Sequence, residues 1–527
     1  MRELTYNLIE EPWIRCAYIN GEKKKVSLSV LLAEAPQISG FITPAPVITS
    51  SLFRHLLLPL LMRIFPLRDD RDWQDLWNQP CFDMPSIATY FDHFKDRFDL
   101  FHPDRPFYQA ADPRVQRKSL LKMIPHLASG NNATLFDHSV EERGVTLSPE
   151  EAAQYVIALQ AYGLGGLSGI EEKFTAAPAC PGISFFVQGA NLYQTLLLNL
   201  LPIDYTLLQT IPSNPAYPDL PTWEMDSPFE PRATPRGLLD YLTWQNRRVL
   251  LFPEREGDGP IRVREMTEGP GLRLAEDFVD GIKVRDPFQY YRLTADNKPL
   301  VVRFSEGRVL WRDSSALLQF DQEKGLLAPP ILFWLKILVN RALLPRSATY
   351  QVIALGMAAN KSKILFYGQE ALPLPAEYLT DADLVGDLRM ALEKADALSS
   401  SLFASVSAMA ETLIDPDGEI MGTKPKKETI APLRNHLEAG RVFWSELEPG
   451  FYKLIAGLPA DATQAIAEWD DLLRRQTWRA HEYSLSLAGE SINAKKAAVK
   501  AGAIIAAGIN RHLGRKEGKY ASTDSAS

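Results

Sequence analysis

Beyond Leu372-Pro-Leu-Pro-Ala376 the chain turns rich in alanine and leucine. Its apolar residues recur at three- and four-residue intervals over Ala382 to Leu413, Ile430 to Ala456, Ala462 to Ala488 and Asn493 to Leu513. That spacing gathers the apolar side chains on one face of each segment, so four long amphipathic helices are predicted. Turn-forming residues separate them: Asp415-Pro-Asp-Gly418 followed by Lys424-Pro-Lys-Lys427, then Leu458-Pro-Ala-Asp461, then Gly489-Glu-Ser-Ile492. Together they predict an all-α four-helix bundle. The first 375 residues are patterned differently. Runs of β-branched and aromatic residues, Ile183 to Val187 and Leu300 to Phe304, predict strands. Helices are predicted at Ser50 to Ile64, Pro149 to Gln160, Leu192 to Leu200 and Pro330 to Leu344, the second opened by the cap and acidic first turn of Ser148-Pro-Glu-Glu. Pro202 to Pro235, with Pro212, Pro215, Pro218 and Pro221, predicts a surface excursion. The predicted fold class is α+β: a large irregular mixed N-terminal domain over 1–375, the four-helix bundle over 376–520, and a disordered tail over 521–527.

Composition narrows the class. A chain of 527 residues, 46% of them hydrophobic, can bury two or more cores. Its most apolar stretch, Leu52 to Leu67, is interrupted by Arg54, His55, Pro59, Arg63 and Pro66, which predicts a buried helix rather than a bilayer span. Met1 to Asn20 carries Glu3, Glu10 and Glu11 where a leader needs a basic start and an apolar run, so no secretion signal is expected. Cys16, Cys81 and Cys180 form no C-x-x-C pair, which fits a reducing, cytoplasmic compartment. His436, His481 and His512 stand singly, without the Glu-x-x-His pairs of a di-iron bundle, so neither metal nor cofactor is predicted.

The net charge of −8 is unevenly spread. From Asn493 to Lys519 stand Lys495, Lys496, Lys500, Arg511, Arg515, Lys516 and Lys519 against Glu517 alone, and the preceding helix adds Arg474, Arg475 and Arg479. The stripe reads either as a solvated helix face or as a patch that meets phosphate. Two small-residue loops also stand out. Ala161-Tyr-Gly-Leu-Gly-Gly-Leu-Ser-Gly169 follows an apolar helical run, and Ser129-Gly-Asn-Asn-Ala-Thr-Leu-Phe-Asp-His138 precedes it by about thirty residues. The first lacks the G-x-G-x-x-G spacing of a dinucleotide site and the Gly-Lys-Ser or Gly-Lys-Thr of a P-loop, so a nucleotide cradle is not expected. It is then either a tight turn or a place where backbone approaches a ligand. Asp137-His138 invites a hydrolytic reading, but it counts more simply as a loop pair.

A series of short motifs runs in fixed order: Asn7-Leu-Ile-Glu-Glu-Pro-Trp-Ile14, Pro106-Phe-Tyr-Gln109, Ser129 to Phe136, Gly163-Leu-Gly-Gly166, Phe186-Val-Gln-Gly-Ala-Asn-Leu192 with Leu196-Leu-Leu-Asn-Leu200, Arg285-Asp-Pro-Phe288, Leu310-Trp-Arg-Asp313 and Gly356 to Leu365. In that order, followed by a four-helix bundle, they resemble the CasA family, the large subunits of type I-E CRISPR surveillance complexes (Cascade).

The resemblance implies recognition without catalysis. A CasA-like subunit reads the protospacer-adjacent motif (PAM) in double-stranded target DNA, helps open the duplex and presents it to a separate helicase-nuclease, while guide pairing reads the rest. Its implied partners are the other Cascade subunits, the CRISPR RNA, the target duplex and the helicase-nuclease. The family's glycine loop falls on Gly163, Leu164, Gly165 and Gly166, bringing backbone against base edges in the minor groove. Its wedge falls on Asn360, Lys361 and Ser362, where spacing alone would suggest a polar hairpin turn; Lys361 stands where a glutamine is usual, so it cannot offer an amide's paired donor and acceptor. The docking loop, which meets the base of the complex near the RNA 5′ end, falls on Asn131, Asn132, Thr134 and Phe136. A family lysine that reads the minor groove has Lys283 and Arg285 as its nearest basic counterparts, and the bundle's contact with displaced DNA falls on Lys495, Lys496, Lys500 and Arg511. Some relatives carry a central cysteine cluster able to hold zinc, which this chain lacks. Two other readings stay open: a scaffold subunit that reads no DNA, and a hydrolase built on Asp137, His138 and the glycine loop.

Overall fold

Helix Pro46–Ile64 runs through the interior of the larger of two units, with Leu52 to Met62 buried throughout. Its length and composition alone would suit a membrane, but its burial is that of a core helix. It begins four residues earlier than the sequence predicts, and over Leu52–Leu57 it widens into a π-helical turn. The described residues of this computed structural model are 4–124, 145–202, 208, 210–279, 283–294, 296–305, 310–318, 326–360, 363–416 and 426–514. One unit comprises Met1–Leu310 with Ala316–Leu379, the other Trp311–Ser315 with Thr380–Ser527.

In the π-helical turn Arg54 is fully buried, and it forms a bidentate pair with the equally buried Asp286. Tyr241 Oη and the Phe288 amide donate to the same carboxylate at 2.8 and 2.9 Å. The Arg-Asp-Pro-Phe motif is thus an internal anchor. Its neighbour His55 is also buried, and burial, reinforced by the Arg54 charge, holds its pKa well below the usual value.

The described strands form four three-stranded antiparallel sheets. One is built on a long hairpin, Thr349–Asn360 with Lys363–Pro375, whose first arm also pairs with Ile183–Gln188. That third strand reaches only from Gln351 to Gly356, so the hairpin extends beyond it through Asn360 and Lys363. Near the tip the register slips between Ala358 and Ala359, leaving Leu365 as the extra residue of a bulge, with its side chain exposed. A second sheet orders Lys118–Ser119, Arg262–Pro270 and Arg247–Glu254. Helix Pro46–Ser51 packs against both the hairpin and helix Pro149–Tyr162, fixing them to one frame.

Several predicted boundaries need correction. Strand Leu300 to Phe304 is shorter, Pro299–Val301. Helix Pro330–Asn340 stops before Leu344, where Ala342 takes a left-handed φ of 55°. The proline-rich span is not all surface: Trp223 is 5% exposed and packs among Phe98, Phe107 and Tyr108, because a large apolar ring outweighs the prolines around it.

The second unit contains helices Ala382–Ile414, Lys427–His436, Ala439–Gly457, Ala462–Ala488 and Ile492–Leu513. The helix predicted from Ile430 to Ala456 is therefore two. The break falls where Leu437 is pulled inward, its carbonyl accepting from Ser484 Oγ at 3.0 Å, and Glu438 turns left-handed at φ 47°. Ala501 and Gly508 let Ile492–Leu513 lie close to Ala382–Ile414; a Cβ at Gly508 would stand 2.7 Å from Ser401. Trp311, from the short inserted segment, is 1% exposed; its ring stacks on Phe451 at 4.8 Å and meets Trp444 and Trp469 edge-on. Arg312 lies 3.5 Å over Trp444 and pairs with Asp396 at 2.7 Å.

Candidate nucleic-acid interface

The glycine loop is mounted on helix Pro149–Tyr162. Ser148 and Glu151 close a reciprocal capping box at the helix start, and the chain leaves the helix at Gly163. A Cβ at Gly163 would sit 2.7 Å from the Leu159 carbonyl and 3.1 Å from Arg247 Nη2, so the exit requires glycine. The loop then doubles back. Gly166 and Phe174 exchange two backbone hydrogen bonds of 3.0 Å, and the Ala177 amide donates to the Gly163 carbonyl at 2.8 Å. Arg247 braces both arms from beneath, donating to Leu164 O at 2.6 Å and Thr175 O at 2.9 Å, with its guanidinium 4.4 Å from the Phe174 ring centre and Glu268 at 3.5 Å. Gln160 locks the Arg247 backbone to the helix through two bonds. Much of the loop's backbone is therefore engaged inside the fold, and what it turns outward is the half-buried Leu164–Gly166 ridge and a tip led by Leu167, 86% exposed.

Beside the loop opens a groove of about 570 Å³ lined by Arg114, Arg232, Arg248 and Arg273 against two carboxylates, Asp112 and Glu172. Glu172 belongs to the loop and pairs with Arg114 at 2.9 Å. Arg232 is committed to buried Asp240, Arg248 lies over Phe229 at 4.3 Å, and Arg273 pairs at 2.7 Å with Glu276, both largely exposed. Guanidinium groups on an open groove suit phosphate, which they can grip with paired donors.

The other expected positions fall as follows. Asn360 is exposed at the end of the hairpin's first arm, while Lys361 and Ser362 lie outside the described residues. Lys283 is exposed. Arg285 corrects the expectation: it is buried, and donates to the carbonyls of Ala328 and Leu208, each at 3.1 Å, so its charge reaches no surface. Asn131, Asn132, Thr134 and Phe136, like Asp137 and His138, lie outside the described residues. In the second unit Lys495, Lys496, Lys500 and Arg511 are all exposed, on the face of their helix opposite the buried Ala494, Ala497, Ala501 and Ile505. No group of three or more His, Cys, Asp or Glu placed to hold a metal occurs among the described residues.

Sequence reasoning missed Arg247, Phe174 and the arginine groove. Arg247 is more than seventy residues from either arm of the loop it braces, and nothing in its neighbourhood marks it. Arg114, Arg248 and Arg273 come from three separate segments that only the fold brings together.

Residues 7–480 match the family described as CRISPR-associated protein Cse1. The CRISPR-associated protein CasA/Cse1 of Thermus thermophilus is 33% identical over 492 residues, spanning 90% of this chain and 92% of that protein. The crystal structure of Thermus thermophilus CasA superposes with a TM-score of 0.79 at 28% identity, covering 96% of this chain and 100% of that one. A chain of a structure described as a CRISPR RNA-guided surveillance complex superposes with a TM-score of 0.74, covering 95% and 99%, and at 20% identity that likeness is one of fold. The chain belongs to the CRISPR-associated Cse1 (CasA) family.

Proposed function

We propose that the chain is the large subunit of a type I-E CRISPR RNA-guided complex, where it reads the PAM in double-stranded target DNA, helps open the duplex and licenses recruitment of a separate helicase-nuclease. The observation that carries this reading is the braced glycine loop beside an arginine-lined groove. Family membership and a fold shared with a chain of an RNA-guided surveillance complex support it. In this reading the groove holds phosphate, the Leu164–Gly166 ridge meets base edges, and the projecting hairpin enters below the motif. Of the two basic counterparts that the resemblance gave for the minor-groove lysine, Arg285 is buried and Lys283 is exposed, so in this reading the part stays with Lys283.

The test is target-duplex binding by the reconstituted guide-RNA complex, with and without this chain, on DNA carrying an intact or scrambled flanking motif at fixed salt. The chain is expected to tighten binding only to the intact motif, by roughly 1–3 kcal/mol. Gly165→Asp, with an unchanged melting temperature, and Lys361→Ala remove that gain. Binding that ignores both the chain and the motif would favour the scaffold reading instead.

For the second unit the expectation concerns salt. Replacing Lys495, Lys496, Lys500 and Arg511 by alanine should weaken binding to every duplex alike. It should also flatten the log-affinity against log-salt slope by about 0.9 for each duplex phosphate no longer neutralised. A slope that stays the same would return the stripe to a solvated helix face.

A further inference from the structure

We infer that Leu167 is an inserting side chain: it enters the minor groove at the motif and partly unstacks one base step there. The inference rests on the DNA-reading function proposed above and deepens it.

Leu167, at 86%, is the most exposed large apolar residue among the described residues. A single exposed leucine is ordinary on a protein surface. This one is set apart by what holds it. Directly below it Gly166 exchanges its two hydrogen bonds with Phe174, and directly after it Ser168 Oγ accepts from the Ile170 amide at 3.2 Å and donates to the Glu172 carbonyl. Glu172 is tied to Arg114, and Arg247 supports the loop from below. The backbone of the tip is thus held at both ends, so presenting the leucine to a groove costs little loop ordering on binding.

The loop's chemistry leads to the same conclusion. The carbonyl of Leu164 and both backbone groups of Gly166 are already bonded within the fold, so they cannot carry all of the recognition. The tip leads with a hydrocarbon group, and of the four arginines on the adjoining groove Arg114 is held by Asp112 and Glu172 and Arg232 by Asp240, while Arg248 has no carboxylate partner among the described residues and Arg273 has only its exposed pair with Glu276. Apolar tip and guanidinium flank together make the pairing used by minor-groove proteins, which push a leucine, isoleucine, methionine or phenylalanine between base steps while cations hold the backbone. Insertion buries the exposed hydrocarbon, offsetting part of the unstacking, while Arg248 and Arg273, whose exposed pair with Glu276 is weak enough to exchange, supply guanidinium contacts that a phosphate backbone takes and an apolar protein surface does not.

The experiment uses the complete reconstituted complex and duplexes in which 2-aminopurine replaces each base in and beside the motif in turn. The guide is chosen not to match the adjoining target, so that strand exchange contributes no signal. The parent complex should give a several-fold fluorescence rise at one step. Leu167→Met should keep that rise, whereas Leu167→Ser should lose it and bind the motif about tenfold more weakly. If Leu167→Ser unstacks and binds like the parent while Gly165→Asp abolishes motif binding, the insertion is overturned and the DNA-reading function survives. If neither substitution matters, both fall. If Leu167→Ser instead prevents assembly with the other subunits, seen by size-exclusion chromatography, the leucine is a protein contact and the insertion is equally overturned.

Discussion

Asp286→Ala lowers the unfolding free energy by about 3–5 kcal/mol, seen as a fall in the urea midpoint at unchanged slope. The side chains of Arg54 and Asp286 are both fully buried, with Arg54 Nη1 2.8 Å from Asp286 Oδ1. Burial by itself depresses the guanidinium's pKa, but the attraction of Asp286 more than reverses this, so Arg54 stays charged. Alanine at 286 strands that charge without solvent. It also removes the acceptor for Tyr241 Oη and the Phe288 amide. The double substitution Arg54→Met with Asp286→Leu should recover much of the loss, because the stranded charge costs more than the pair itself contributes. A loss below about 1 kcal/mol for Asp286→Ala would mark a solvated pair and defeat the argument.

Trp311→Ala should cost the second unit a comparable amount, about 3–5 kcal/mol. The indole fills the space between Phe451, Trp444 and Trp469, and no neighbour can collapse into that volume without leaving its own packing. Trp311→Phe should be much milder. Its smaller ring can keep the stack on Phe451, and the indole N–H has no acceptor among the described residues, so phenylalanine gives up volume but no hydrogen bond. Amide hydrogen exchange in Ala439–Gly457 and Ala462–Ala488 separates the cases, with alanine accelerating it strongly and phenylalanine only slightly. Unchanged exchange in the alanine variant would mean that Trp311 is a passenger in that core.

What the sequence made legible was local. The Ser148 cap, the long alanine- and leucine-rich helices and the exit at Gly163 each depend on residues within a turn or two of one another, where periodicity and capping chemistry operate. What stayed hidden was set by contacts distant in the chain. Arg285 is basic and near the expected position, yet it turns inward to carbonyls at 208 and 328. Trp223 sits in a proline-rich span but belongs to an aromatic core assembled from three other positions. The break at Glu438 has no glycine or proline at the break itself, Pro432 and Gly440 lying inside the helices on either side; the inward pull on Leu437 accompanies it. At the candidate interface the glycines were readable, whereas the arginine that braces them and the groove beside them were not.

The chain passes between its two units three times: at Leu310 to Trp311, at Ser315 to Ala316, and at Leu379 to Thr380. The C-terminal helices therefore cannot be treated as a cassette. A fragment beginning at Thr380 would lack the indole at the centre of its own aromatic cluster, and a truncation at Leu379 would leave that indole without its partners. Exchange of this region between relatives would have to move two discontinuous pieces of sequence together, the second only five residues long. In a lineage where the helices diverge, residues 311–315 should change in step with positions 444, 451 and 469 rather than with their own neighbours in sequence.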